Sequence, residues 1–397
     1  MRPLNRNIYR LGFLSLFNDF TADMITPLLP VYLATMGVGP QFLGIMEGVA
    51  NFFSYLTRLA SGIYVDRYGN NKKLTWFGYG LCAVIRLLLA IPFYPLVFFV
   101  RITDRIGKGI RTTPRDGLIM ALAEKKDWGR AFGVQRSMDH LGALLGAACA
   151  TFLLSYFSIS LSWLFLLAAI PSLLASLWIP RKIPEVPTPK SRLHGFHFSW
   201  KALPPSLKAY VGIIFFAAFT SPSELFLLMK MHDLGLKEYL MPLAWLLLTL
   251  FSLVSAYLGG LLSDRWSRRG TIGIGWVLYA IVFLVFAFNQ NLILSWIFLG
   301  LFGFQAGLVE ASERSYPASL ASENARATAL GWYYLAYGLG MLPASLIFGF
   351  LWKYWSAQNA FLLYAGLTFL SVFFVGFLPS SRGKALTTSS VTDTEEQ

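Results

Sequence analysis

Gly62-Ile63-Tyr64-Val65-Asp66-Arg67 closes one long apolar run, and Gly260-Leu261-Leu262-Ser263-Asp264-Arg265 closes another 198 positions later, half the length of a 397-residue chain. The same offset carries Ala131-Phe132-Gly133 and Gly142 onto Ala329-Leu330-Gly331 and Gly340, and close to it Phe20-Thr21 matches Phe219-Thr220. Three matches in one register read as a duplication. Parallel repeats in a membrane protein place a binding site at their interface near the midplane, with one half rocking against the other.

Outward from the repeat, mostly apolar runs recur near 11–34, 40–64, 74–94, 96–118, 130–156, 160–179, 208–230, 240–262, 271–289, 291–315, 327–352 and 357–378. Each is about the length that crosses ~30 Å of hydrocarbon at 1.5 Å per residue. With 56% hydrophobic, 16% aromatic and 13% charged residues and a mean hydropathy of +0.56, the chain has more apolar surface than one water-soluble core can hide. The expected fold is an all-α membrane protein of twelve transmembrane helices in two pseudo-symmetric six-helix bundles. These occupy residues 1–180 and 208–379, joined by a polar linker at 181–207 and followed by a disordered tail at 380–397.

A net charge of +13 in a soluble domain would point to nucleic acid, so the placement of the charges decides. Of 33 Lys and Arg, 24 fall in the termini or in loops after even-numbered spans, and only Lys230, Lys237 and Lys353 fall on the other side. That asymmetry is the positive-inside pattern, which puts both termini and the linker in the cytoplasm and removes the case for a nucleic-acid partner. Cys82 and Cys149 lie in apolar runs, where cysteine behaves as a small hydrophobe. No Asn-x-Ser/Thr sequon occurs, and a bacterial inner membrane is the expected location.

Gly62, Asp66, Arg67, Gly69, Lys72 and Lys73 match the Gly-x-x-x-Asp-Arg-x-Gly signature, with its trailing bases, of the major facilitator superfamily. The chain resembles that family over nearly its whole length. The resemblance implies secondary transport by alternating access, with no cofactor and no metal. It also implies that the loop acid and base latch the cytoplasmic side, so Gly62, Asp66, Arg67, Asp116, Asp264 and Arg265 are the expected conformational switch. Asp66 can accept from N–H groups at the start of the eleventh span, and Arg67 can pair with Asp116. A plain basic loop with ordinary caps is the alternative. Two departures matter: Asp104 and Arg105 replace the Gln and first Gly of the family's fourth-helix signature, and Ala147 replaces the Pro of its exchanger signature.

Eight carboxylates lie within the spans, at Asp19, Asp23, Glu47, Asp104, Asp139, Glu224, Glu310 and Glu313, together with six bases, Arg58, Arg86, Arg101, Arg105, Lys108 and Arg136. At roughly 3 kcal/mol each in lipid, they would cost on the order of 40 kcal/mol, so they must face one another, a cavity or water. Arg101, Asp104, Arg105 and Lys108 follow helical spacing and are expected on one cavity-lining face. Arg58 and Arg136 add guanidinium groups that suit carboxylate or phosphate. Glu224 and Tyr337 are the second-half candidates, although the first half is expected to read most of the substrate's polarity.

Asp19 and Asp23 form an i, i+4 like-charge pair that resists double ionisation in a dry site, and with Glu47 they are the first candidates for proton coupling. Arg136, Asp139 and His140 suit either a proton relay or a static Arg136–Asp139 pair with His140 as packing. The expected function is proton-coupled movement of a small polar, anionic or zwitterionic solute, with a monomer as the default state. A drug or metabolite exporter working by proton antiport is the alternative. An intramembrane enzyme finds no nucleophile, base or metal cluster here, and Gly107-Lys108-Gly109 lacks the rest of a phosphate loop.

Overall fold

Backbone in hydrocarbon must satisfy its own hydrogen bonds, and a helix does so along its length. The computed structural model describes residues 4–69, 71–124, 127–184, 200, 203–265, 267–321 and 326–378. Most of the expected linker and the whole tail lie outside them. Twelve helical spans cross back and forth. Span 1 is Arg6–Ile25 continued through a 3₁₀ turn at Thr26–Leu28 into Leu29–Thr35, and spans 2 to 6 are Pro40–Tyr68, Asn71–Arg86, Tyr94–Leu122, Trp128–Phe157 and Leu161–Trp178. Span 7 is Pro205–Phe219 followed by Leu225–Asp233, and spans 8 to 12 are Met241–Arg265, Arg268–Phe288, Leu292–Leu320, Arg326–Tyr354 and Ala357–Val375.

Eight of these spans are long and apolar enough to cross a membrane by length and composition alone. The remaining four are spans 1, 2, 4 and 7. Spans 1, 2 and 4 carry Asp19 and Asp23, Glu47 and Arg58, and the run from Arg101 to Arg115. Span 7, expected to be continuous over 208–230, is instead broken at residues 220–224. Pro222 has no N–H and disfavours helix at Ser221, which accounts for the break. Freed backbone at membrane depth persists only where protein or a cavity covers it. Ser345 Oγ takes the Ser223 N–H at 3.0 Å, and residues 220–222 with Glu224 line a hollow.

The repeat is built as well as written. Gly109 of span 4 lies against the Ser54 carbonyl of span 2, and Gly307 of span 10 lies against the Ser252 carbonyl of span 8, 198 residues on in both members. Gly142 abuts the Leu16 carbonyl, and Gly340 abuts that of Phe215. Spans 3, 6, 9 and 12 make their main contacts within their own half. Their outward faces carry Phe77, Trp163, Phe288 and Phe373, all exposed, as helices bathed in lipid require. The two copies of the loop motif end differently. Gly69, at φ +73°, closes span 2 in the left-handed conformation, whereas Ser267 caps span 9 by accepting the Gly270 N–H at 2.9 Å.

At the end carrying the basic loops, each half keeps its own core: Ile8, Leu11, Leu118, Ile119, Ala131 and Ile183 in the first, and a cluster from Leu203 to Leu378 in the second. At the far end one core runs through both, joining Leu28, Leu33 and Phe165 to Phe226, Phe283 and Phe348. The halves are therefore sealed together at the far end and separate toward the basic end. Gly44 and Gly48 of span 2 sit directly on the Ser345 and Leu342 carbonyls of span 11. Between spans 5 and 8, by contrast, Leu144, Leu246 and Leu250 line an apolar cleft of about 340 Å³.

A Cβ at Gly44 would collide with span 11 backbone, whereas one at Gly80 meets nothing within 4 Å. Gly44→Ala should therefore lower the thermal midpoint of the detergent-solubilised protein, by the ~1–3 kcal/mol typical of overpacking. Gly80→Ala should leave that midpoint unchanged.

Candidate functional site

Fourteen intramembrane charges were expected to face inward, and each has an interior address. Glu47, Arg86, Arg101 and Asp104 form two buried pairs. Six others line a hollow in the first half, and the three second-half carboxylates line another. Arg105 is the fourteenth.

The strongest pair joins spans 2 and 4. Arg101 Nε donates to Glu47 Oε1 at 2.6 Å and Nη2 donates to Oε2 at 3.1 Å, a bidentate fork. Nη1 reaches Thr26 Oγ1 at 3.3 Å, in the 3₁₀ turn of span 1. Ser223 Oγ, from the break in span 7, donates to Glu47 Oε2 at 3.3 Å, so this clamp also ties the halves together. Arg86 Nε donates to Asp104 Oδ1 at 2.8 Å, with Nη1 3.0 Å from the Asn18 carbonyl. Asp104 thus turns toward span 3 and lines neither of the two hollows. The single cavity-lining face expected for Arg101, Asp104, Arg105 and Lys108 is divided accordingly.

The first hollow has a volume of about 250 Å³ and is lined by Asp19, Asp23, Arg58, Lys108, Arg111, Arg115, Arg136, Asp139 and His140. Arg111 lies 3.5 Å from Asp19 and 4.2 Å from the centre of the Tyr79 ring. Arg115 lies 3.6 Å from Asp139, which also accepts from Gln135 Nε2 at 2.8 Å. Asp23 accepts from Trp245 Nε1 of the other half at 3.0 Å. Lys108 and Arg58 have no carboxylate partner among the described residues. Arg58 lies 5.6 Å from the Tyr55 ring centre and 5.3 Å from that of Tyr334. Arg105 Nε is buried with no hydrogen bond.

The second hollow, of about 360 Å³, is lined by Glu224, Glu310, Glu313, Gln305, Tyr279 and Tyr337 among others. Glu310 meets Arg136 at 3.3 Å, on the border of the two hollows, and Glu313 accepts from Trp276 Nε1 at 2.8 Å. Three carboxylates from spans 7 and 10 converge here, so the second half also presents charged groups to the interior. Sequence reasoning left Arg111 and Arg115 out of the candidate site residues, although they lie inside span 4 and line the first hollow. Arg115 falls seven residues after Lys108 and fourteen after Arg101, and that spacing was the available signal. Tyr55, Tyr279, Trp276 and Gln305 carried no comparable signal among so many aromatics and amides.

The expected Arg67–Asp116 latch is absent in this state. Asp116 is bonded instead to its neighbour Arg115 at 3.0 Å, and the Arg67 guanidinium lies 5.5 Å from the Tyr68 ring centre. Gly62 packs near Thr113 of span 4. The side chains of Asp66, Asp264 and Arg265 lie outside the described residues.

Burial ranks these pairs. Truncating one member of a buried pair strands a charge, at a cost of ~3–5 kcal/mol, while an exposed pair contributes ~0–1 kcal/mol. The Arg101 and Glu47 side chains are 5% and 1% exposed, against 55% and 29% for Arg136 and Glu310. Arg101→Met should therefore depress the thermal midpoint strongly, and Arg136→Met should barely move it.

The family model of the Major Facilitator Superfamily matches residues 11–258 and 211–395. An uncharacterised MFS-type transporter of Methanocaldococcus jannaschii is 32% identical over 381 residues, covering 93% of this chain and 94% of that one. Among solved structures, a mutant form of the nucleoside transporter NupG superposes with a TM-score of 0.77 at 15% identity, over 94% of this chain and all of that one. A D-xylose-proton symporter superposes with a TM-score of 0.72 at 18% identity, over 96% of this chain and 98% of that one. The chain belongs to the major facilitator superfamily and is a membrane transporter.

Proposed function

We propose that the protein is a proton-coupled secondary transporter of a small anionic or zwitterionic solute, working by alternating access. The observation that carries this reading is the first hollow, where five Lys and Arg face three carboxylates. Two of those bases, Lys108 and Arg58, lack a carboxylate partner among the described residues. Together with the unsatisfied Arg105 they form the anion-binding set, since an ionised donor makes its strongest hydrogen bonds to carboxylate or phosphate. The basic loops face the cytoplasm of a cell with a single or inner membrane, so the state described here is open to the cytoplasm.

Asp23 is the coupling carboxylate in this scheme. Ionised, it accepts a charge-assisted bond from Trp245 and ties span 1 to span 8. A proton taken up from the far side weakens that tie and favours opening there. Release into the hollow restores the tie and closes the far end. Asp19 and Asp139, each beside an arginine, tune the field around it, and His140 on the same wall relays protons toward the basic end. The exposed Arg136–Glu310 pair is weak enough to part as a solute arrives.

An inward pH gradient imposed on proteoliposomes should drive accumulation of the transported solute, which untargeted metabolite comparison of cells with and without the protein would identify. Asp23→Asn should abolish gradient-driven accumulation while leaving exchange down the solute's own gradient largely intact. Lys108→Gln and Arg105→Gln should each lower uptake by ~10-fold or more, the loss of ~1.5–3 kcal/mol from a charged hydrogen bond. Wild-type transport indifferent to the pH gradient would remove the coupling.

A further inference from the structure

The two hollows are opposite in sign. Where the first is rich in guanidinium and ammonium groups, the second is lined by Glu224, Glu310 and Glu313 and, among the described residues, by no Lys, Arg or His. Glu313 is engaged by Trp276 and Glu310 by Arg136. Glu224 enters no ion pair among the described residues. It stands at the start of the second segment of span 7, beside the break.

Two further groups in this wall want a partner. Gln305 is 4% exposed and Tyr279 is 6% exposed, and both line the hollow. Among the described residues the Tyr279 hydroxyl has no hydrogen-bond partner of good geometry, with the Ser221 hydroxyl beside it, and the Gln305 amide makes no hydrogen bond. Buried polar groups in native proteins are almost always satisfied, so groups aimed into a cavity without a protein partner point to something that enters it. The rings of Tyr55, Tyr279 and Tyr337 add π faces, which attract cations and repel anions. A hollow of about 360 Å³ lies within the range of small-molecule pockets.

We propose that this second hollow binds the amine pole of the transported solute. An alkyl- or arylammonium group sits at Glu224 among the tyrosine rings, with Gln305 and the Tyr279 hydroxyl available to polar groups beside it. The inference rests on the transport reading and narrows it: the solute is an amino acid-like zwitterion lying across the border of the two hollows. Its acid group meets Arg58 and Lys108 on the other side. At that border Tyr55 and Arg58, one turn apart on span 2, line the second and first hollows respectively. The Arg136–Glu310 pair bridges the same border. That pair is half-exposed, so water can take up its two charges when it parts to admit a solute across the border.

Three matched probes separate the poles: phenethylammonium carries only the amine, 3-phenylpropionate only the acid, and phenylalanine both. Binding is measured by titration calorimetry on the full-length protein in detergent. The expected result is that phenylalanine binds more tightly than either fragment. Glu224→Gln should weaken phenethylammonium and phenylalanine at least tenfold while sparing 3-phenylpropionate, and Lys108→Gln should weaken 3-phenylpropionate and phenylalanine while sparing phenethylammonium. Gln305→Met, which leaves every protein charge in place, should weaken phenylalanine without altering the ligand-free thermal midpoint. No binding of either amine, or amine binding indifferent to both Glu224→Gln and Gln305→Met, overturns the amine site. If 3-phenylpropionate still binds through Lys108, that outcome leaves the anion-transport reading standing. The transport reading fails separately, by the absence of gradient-driven uptake in proteoliposomes.

Discussion

Glu47 and Arg101 meet in a two-pronged bond deep inside a protein whose outer solvent is lipid. Neither charge is tolerable there alone. Taking both out of water is costly, and only a well-oriented partner with further hydrogen bonds offsets it. Thr26 and Ser223 supply those bonds, so four elements must arrive together: spans 2 and 4, the 3₁₀ turn of span 1, and the break in span 7. Three belong to the first half and one to the second. The clamp therefore fixes the first bundle internally and holds the second against it in the state described here.

Around that clamp, symmetry and chemistry diverge. Backbone packing repeats at an offset of 198 residues, with Gly109 and Gly307, then Gly142 and Gly340, doing the same job in each half. The charges do not repeat. Span 4 carries Arg101, Arg105, Lys108, Arg111 and Arg115, while its counterpart, span 10, contributes Glu310 and Glu313 to the hollows. Close glycine contacts within each bundle favour rigid bodies. The seam between them is lopsided, with backbone touching backbone at spans 2 and 11 and an apolar cleft lined by leucines between spans 5 and 8. Such an arrangement favours rotation about the tight side.

Much of this was legible in the sequence because lipid simplifies the code. Span length, the basic-loop bias and the repeated Asp-Arg motif each follow from one physical requirement, and all twelve spans were found from them. Pairing was harder to read. Asp104 shares a helical stripe with Arg101 and Arg105, yet Arg86 four residues past Cys82 on span 3 draws it away, and one helix's periodicity says nothing about its neighbour's register. The second hollow was missed for a related reason. Its groups come from spans 2 and 7 to 12 and lie singly in the chain, so only the fold gathers them. The break in span 7 was signalled by Ser221-Pro222-Ser223, but hydropathy runs smoothly across it.

The central claim is that two rigid halves exchange closure between the far end and the basic end. Spin-label distances on the full-length protein lacking Cys82 and Cys149 test it most directly. One label pair, at Glu124 and Ala321, spans the halves at the basic end; the other, at Phe93 and Asn291, spans them at the far end. A tryptophan wedge at Gly44, where span 2 touches span 11, forces the far seal apart without needing a substrate. The account predicts that Gly44→Trp lengthens the Phe93–Asn291 distance and shortens the Glu124–Ala321 distance together. A far end that opens while the basic-end distance stays as it was would contradict it.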